Sequence, residues 1–207
     1  MFMIGARISI RSEAVAMRPC GRFAVRNVRV SATSLRRNLT PRRPQGRGLQ
    51  MKIQIVRTKP EDADALTEIA HAAKRHWGYP ERLIQNWRDI LTMRPEFIAA
   101  NVAYCAMEDA RILGFYLLTN EGDGLHLDHL WIVPDATGRG IGRTLFQHAV
   151  GQARRLSHRT FKIEADPNAD GFYTRMGARR VGETVTIIEE QRRELPVLLY
   201  DVENGTT

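Results

Sequence analysis

Cysteine is scarce: Cys20 and Cys105 are the two in a chain of 207 residues. That number supports neither a disulfide framework nor a cysteine metal site, and no metal is expected. Cys105 stands in an apolar run and reads as a small buried hydrophobe. Long apolar runs are missing too. No window approaches the roughly 18 consecutive apolar residues of a membrane span, so no transmembrane helix and no membrane partner are expected. The first fifty residues contain no lysine and a single acid, Glu13, against eleven arginines. The remaining chain carries twenty basic and twenty-two acidic residues, so the net charge of +8 belongs to the N-terminal stretch. The rest gives no charge-based case for nucleic-acid binding. A hydrophobic content of 43% and a charged content of 26% are those of a soluble globular protein with one ordinary core, expected in the cytoplasm.

Residues 1–50 show no sustained period of 3.6 or 2 and are expected to be a disordered, Arg-rich extension. Three readings stay open: a basic arm that touches nucleic acid or an anionic surface, an organelle transit peptide, or an upstream stretch without function. Met51 opens the first clean strand pattern, so translation could begin there. The domain is expected over residues 51–207.

Ile53 and Ile55 alternate with polar neighbours, as in a half-buried strand. Pro60, Glu61 and Asp62 signal a helix start, and Leu66, Ile69, Ala70 and Ala73 form its apolar stripe. His76-Trp77-Gly78-Tyr79-Pro80 breaks it. A second helix is expected over 81–91. Residues 102–107 and 112–118 read as strands joined by a hairpin turn at 108–111. After a turn at 121–124, residues 125–133 form a longer strand. Ile141, Leu145, Ala149, Ala153 and Leu156 recur at helical spacing. A strand over 161–165, a short helix over 168–176 closed by Gly177, and strands over 180–188 and 195–202 complete the order β-α-α-β-β-β-α-β-α-β-β. The fold class is α/β with a mixed sheet: an antiparallel meander, then one parallel crossover.

The long strand runs into Thr137-Gly138-Arg139-Gly140-Ile141-Gly142-Arg143 and then a helix. Glycines at alternate positions let the backbone approach a ligand closely, and the helix start offers free N–H groups and a positive dipole end. The natural occupant is a phosphate or pyrophosphate. A dinucleotide fold fits poorly: the spacing is G-x-G-x-G, Pro134 interrupts, and an antiparallel meander comes first, although Glu164 lies about twenty residues on. No G-K-[ST] follows, which excludes a P-loop. A purely structural turn needs fewer glycines and no flanking arginines.

The stretch 137–142 resembles the acetyl-CoA signature of the GNAT N-acetyltransferase superfamily, [RQ]-x-x-G-x-[GA]. Leu130-x-Ile132-x-Pro134 is similar to the strand before it. Asp166-Pro167-Asn168-Ala169-Asp170-Gly171-Phe172-Tyr173 through Gly177-Ala178 resembles the second signature, N-P-x-A-x-x-F-Y-x-x-x-G-F. The resemblance spans about residues 52–202. Thr137 replaces the usual Gln or Arg, Asp166 stands where an Asn often contacts the cofactor, and Ala178 replaces a Phe.

The resemblance implies a mostly antiparallel, twisted sheet with helices on both faces and acetyl-CoA as co-substrate. The pyrophosphate would rest on the amides of Arg139 to Arg143, with Thr137, Gly138, Gly140, Ile141 and Gly142 in the cradle and Asp166 and Asn168 near the cofactor. Arg139 or Arg143 would add a charge-assisted contact. The pantetheine arm would pair with the backbone of Trp131, Ile132 and Val133, where an N–H could polarise the thioester carbonyl. Tyr173 matches the acid for the CoA sulfur. For the base, Asp128 comes first and His126 next; they share one strand face by alternation, and His129 lies on the other. The segment 76–79 either lines an acceptor cleft or packs a helix junction. The implied partner is a small-molecule or protein amine, with a homodimer possible. Two other functions compete: a non-catalytic acyl-CoA-binding module, and a nucleic-acid-associated protein acting through its arginines.

Overall fold

The alternating and 3.6-residue patterns become real elements in the structure, a computed structural model that describes residues 52–188 and 191–203. The expected N-terminal extension, residues 1–50, lies outside the described residues. Strand β1 (Gln54–Arg57) precedes helices α1 (Ala63–His76), α2 (Glu81–Asn86), α3 (Arg88–Leu91) and α4 (Pro95–Ala100). Strands β2 (Val102–Glu108), β3 (Arg111–Glu121) and β4 (Gly124–Ile132) form the meander. Helix α5 (Ile141–Arg155) crosses over to β5 (Thr160–Glu164), followed by α6 (Asp170–Arg175), β6 (Arg179–Ile188) and β7 (Gln191–Asp201). The seven strands form one sheet in the order β1-β2-β3-β4-β5-β7-β6, antiparallel throughout except for β4 beside β5.

Three expectations about the helices change. The helix expected over 81–91 breaks at Trp87, whose ψ of 6° leaves helical geometry. Ile84, Trp87 and Leu91 stay buried across the break, so the apolar stripe is kept although the helix is not. Helix α4 was not expected, because six residues are too few to show a period; its signal is Pro95 at the first position with Glu96 behind it. Leu156 was expected on the α5 stripe, but the helix ends at Arg155 and Leu156 is exposed.

The sheet has two working faces. Apolar residues of α1 pack toward β3 and β4, and those of α5 toward β2, β3 and β4. Residues directly opposite in a ladder share a face. Trp131 pairs with Phe115, and the Trp131 ring meets Trp77 just past α1. Ile132 pairs with Gly114, and Ile132 turns toward the start of α5. Gly114 is required there: a Cβ would lie 2.6 Å from the Trp131 carbonyl oxygen.

A bulge corrects the expected faces. Leu117 pairs with His129 while Leu118 pairs with Leu127, so Asp128 is an extra residue in β4. One inserted residue inverts the alternation beyond it. His126 pairs with Thr119 and His129 with Leu117, two residues apart on β3, so the two histidines share a face. The ladder between β4 and β5 holds one pair, His126 with Lys162. Beyond it β5 pairs along its length with β7, and the β4 edge parts from β5 toward its C-terminal end.

Candidate active site

The glycine turn sits where the parted edge of β4 meets α5. Gly138 and Gly140 have φ of 85° and 79°, the left-handed region where a Cβ is strained. Gly140 caps α5, and the first helical bond runs from the Thr144 N–H to the Gly140 carbonyl. The amides of residues 141–143 therefore have no acceptor within the helix. They border a cleft of about 360 Å³ lined by Ile132, Thr137, Gly138, Gly140, Ile141, Gly142 and Arg143, with Phe172, Arg175 and Met176 of the α6 region opposite. Thus most of the expected cradle faces one space.

Arg139 turns elsewhere. Its guanidinium forms a forked ion pair with Glu108, with Nη1 3.2 Å from Oε2, and Arg111 pairs with Asp135 at 2.8 Å. The Arg139 bond holds the Glu108 carboxyl below its ordinary range. These two pairs tie the β2–β3 hairpin to the glycine turn. Arg143 is the expected arginine that borders the cleft.

Tyr173, on α6, is fully buried between Phe146 and Phe172. Its hydroxyl has no hydrogen-bond partner among the described residues. Burial, and next the nearby Asp166 charge, raise this phenol well above its usual value. A buried hydroxyl left without a partner is costly unless something fills the place.

Asp166 does not line the cleft. Its carboxylate accepts from Lys74 Nζ at 2.6 Å, Arg193 Nη2 at 2.7 Å, the Asn168 N–H at 2.9 Å, Asn168 Nδ2 at 3.0 Å and the Tyr79 hydroxyl at 3.0 Å. Asn168 is drawn into the same cluster. This group lies on the Trp131 face of β4. Burial pushes the Asp166 carboxyl up, but the Lys74 charge and bond, the Asn168 amide and Arg193 together hold it below its ordinary value. Tyr79 is pushed up to about 12, by burial first and then by Asp166. The segment expected to line a cleft or pack a junction thus contributes Trp77 and Tyr79 to a buried polar cluster.

Of the two candidate bases, His126 bonds Asp123 at 2.7 Å, at the paired end of β4. That bond, with help from Lys162, pulls Asp123 down to about 2. Asp128 is buried at the bulge, where β4 leaves β5, with its Oδ2 3.8 Å from His129 Nε2. His129 Nδ1 accepts from the Trp131 indole at 3.1 Å. Lys74, Trp87, Arg193 and Glu108 were missed in the sequence. Lys74 had a readable signal: it lies four residues beyond Ala70, on the buried stripe of α1.

A family described as "Acetyltransferase (GNAT) domain" matches residues 79–187, just over half of the chain. The chain belongs to the GNAT acetyltransferase family. Among characterised relatives it is similar to the peptidyl-lysine N-acetyltransferase YjaB of Escherichia coli K12, 35% identical over 97 residues, which are 47% of this chain and 58% of YjaB. It also resembles YiaC of the same organism, 28% identical over 49% of this chain and 66% of YiaC. The chain therefore spans about half to two thirds of the length of these relatives. Among solved structures, a GCN5-related N-acetyltransferase from Rhodopseudomonas palustris aligns with a TM-score of 0.62 at 21% identity, covering 75% of this chain and 99% of that one. The PaiA N-acetyltransferase from Thermoplasma acidophilum, solved with coenzyme A, aligns with a TM-score of 0.56 at 21% identity over 73% of this chain and 99% of that one. These likenesses establish the GNAT fold. No helix among the described residues is long and apolar enough to cross a membrane.

Proposed function

We propose that this GNAT domain, residues 51–207, transfers an acetyl group from acetyl-CoA to a primary amine by direct attack, acting in the cytoplasm without a metal. The observation that carries the reading is the open β4 edge, with the glycine cleft beside it and the orphaned Tyr173 hydroxyl on α6. The amides of residues 139–143 and the Arg143 side chain hold the pyrophosphate. The backbone of Trp131–Val133 pairs with the pantetheine arm and offers an N–H to the developing oxyanion. The thioester supplies an activated acyl carbon with a thiolate leaving group.

An alkyl amine is protonated at neutral pH, so a base must remove a proton before or during attack. Asp128, at the bulge, takes that role ahead of His126, which is engaged with Asp123. Tyr173 returns a proton to the sulfur. The names of YjaB and YiaC support a peptidyl-lysine ε-amine as acceptor, with small-molecule amines as the other class. The test is CoA–SH release from acetyl-CoA with a lysine peptide and a panel of small amines. Acceptor-dependent release is expected. CoA binding with no release from any amine would overturn the reading in favour of a non-catalytic acyl-CoA-binding module.

A further inference from the structure

Lys74 takes no part in the steps above, yet it is the most completely enclosed cation in the described structure, at 1% exposure. Its ammonium is surrounded by four aromatic rings. Their centroids lie 4.9 Å (Tyr79), 5.0 Å (Trp87), 5.3 Å (Trp77) and 5.4 Å (Trp131) from Nζ. Such rings attract a cation through the negative faces of their π-systems. Asp166 Oδ2, at 2.6 Å, supplies the counter-charge and also receives Arg193 at 2.7 Å.

The placement of these groups matters more than their number. Trp131 belongs to β4, and Asp166 follows β5 by two residues. Those are the two strands whose ladder ends after a single pair. Both flank the parted region that receives the thioester in the reading above. Tyr173, on the element that follows Asp166, also feels the Asp166 charge.

We propose that Lys74 is a positioning residue for acetyl transfer: its ammonium, bonded to Asp166 on the β5 side and caged against Trp131 on the β4 side, holds the diverging strand ends at the spacing the reaction needs. The inference rests on the acetyl-transfer reading and adds to it a residue outside the family signatures. A packing role alone would need an apolar side chain. What the cage and the carboxylate select is a charge.

The charge is also what a test can address. Burial lowers the Lys74 ammonium to about 8; Asp166 opposes the shift, and Arg193 adds to it. Tyr79, the other titratable group of the cage, stays neutral until about 12. The cation is therefore present below about pH 8 and lost above it. An arginine keeps its charge at any accessible pH.

The experiment measures kcat against pH for the wild type, Lys74→Arg and Lys74→Met, with CoA affinity by calorimetry and the Lys74 Cε resonance followed by NMR. The expected wild-type kcat declines above about pH 8, with Cε titrating in the same range. Lys74→Arg is expected to lose that decline. Lys74→Met is expected to lower kcat by about tenfold or more with CoA affinity within about twofold, which separates positioning from binding. If Lys74→Met does not fold, the Lys74→Arg profile decides. A Lys74→Met kcat within about twofold of the wild type, or superimposable wild-type and Lys74→Arg profiles across the Cε titration, would overturn the proposal while leaving acetyl transfer intact. A wild type that releases no CoA–SH removes both.

Discussion

Asp166 is the residue on which most of the polar interior converges, and its pH behaviour follows from its partners. Its folded value lies below the ordinary carboxylate value, because Lys74, the Asn168 amide and Arg193 outweigh burial. The stabilisation is therefore complete above about pH 4 and lost as the pH falls through the lower folded value. Asp166→Asn should lower stability at pH 7 by about 3–5 kcal/mol, since it strands buried cations. The gap to the wild type should narrow in melts below about pH 4. A gap that is constant from pH 7 to 3 would show that the charge is not what stabilises. The sequence put Asp166 at a family position for cofactor contact, and the fold turned it inward. Its cationic partners lie 92 positions before it and 27 after it, beyond the reach of any local pattern. Tyr173 was legible because it sits inside a compact signature. Lys74 was half legible, as a charge on a buried stripe.

At the scale of elements, the glycine turn needs backbone shapes that only glycine adopts without strain. Gly140→Ala would force φ near 79° on a residue with a Cβ, costing roughly 1–2 kcal/mol. A thermal melt should show that loss, and calorimetry should show weaker CoA binding. Gly114→Ala acts from the neighbouring strand. Its Cβ would stand 2.6 Å from the Trp131 carbonyl, so β4 must shift at its open end, at roughly 1–3 kcal/mol. Unchanged CoA affinity in Gly114→Ala would show that the Trp131–Val133 edge takes no part in binding. The strands, α1, α5 and the turn were readable because each repeats its period over several residues. The bulge at Asp128 was not. A bulge leaves composition unchanged and alters only the pairing, and it moved His129 to the face of His126. The break at Trp87 was hidden for a similar reason, since burial there continues through the irregularity.

At the scale of the molecule, one strand separates two chemistries. Ile132 looks onto the glycine cleft, and Trp131, its neighbour, onto the Lys74–Asp166 cluster. The glycine cleft and the charged cluster thus lie on opposite faces of β4, and β4 pairs with β5 only at His126. Asp128→Asn should lower kcat more than His126→Gln does, because Asp128 is nearer along the strand to the parted edge. Equal effects would argue against a base at the bulge. The charge map adds a second division, with eleven arginines against one acid in residues 1–50 and a near-neutral remainder. In the proposed reaction Tyr173 gives its proton to the departing sulfur of a thioester seated beside β4. This transfer is tested most directly by Tyr173→Phe, with kcat from CoA–SH release and CoA affinity from calorimetry. The expected kcat is lower by roughly 10²-fold or more at nearly unchanged affinity. An unchanged kcat would contradict that role of Tyr173.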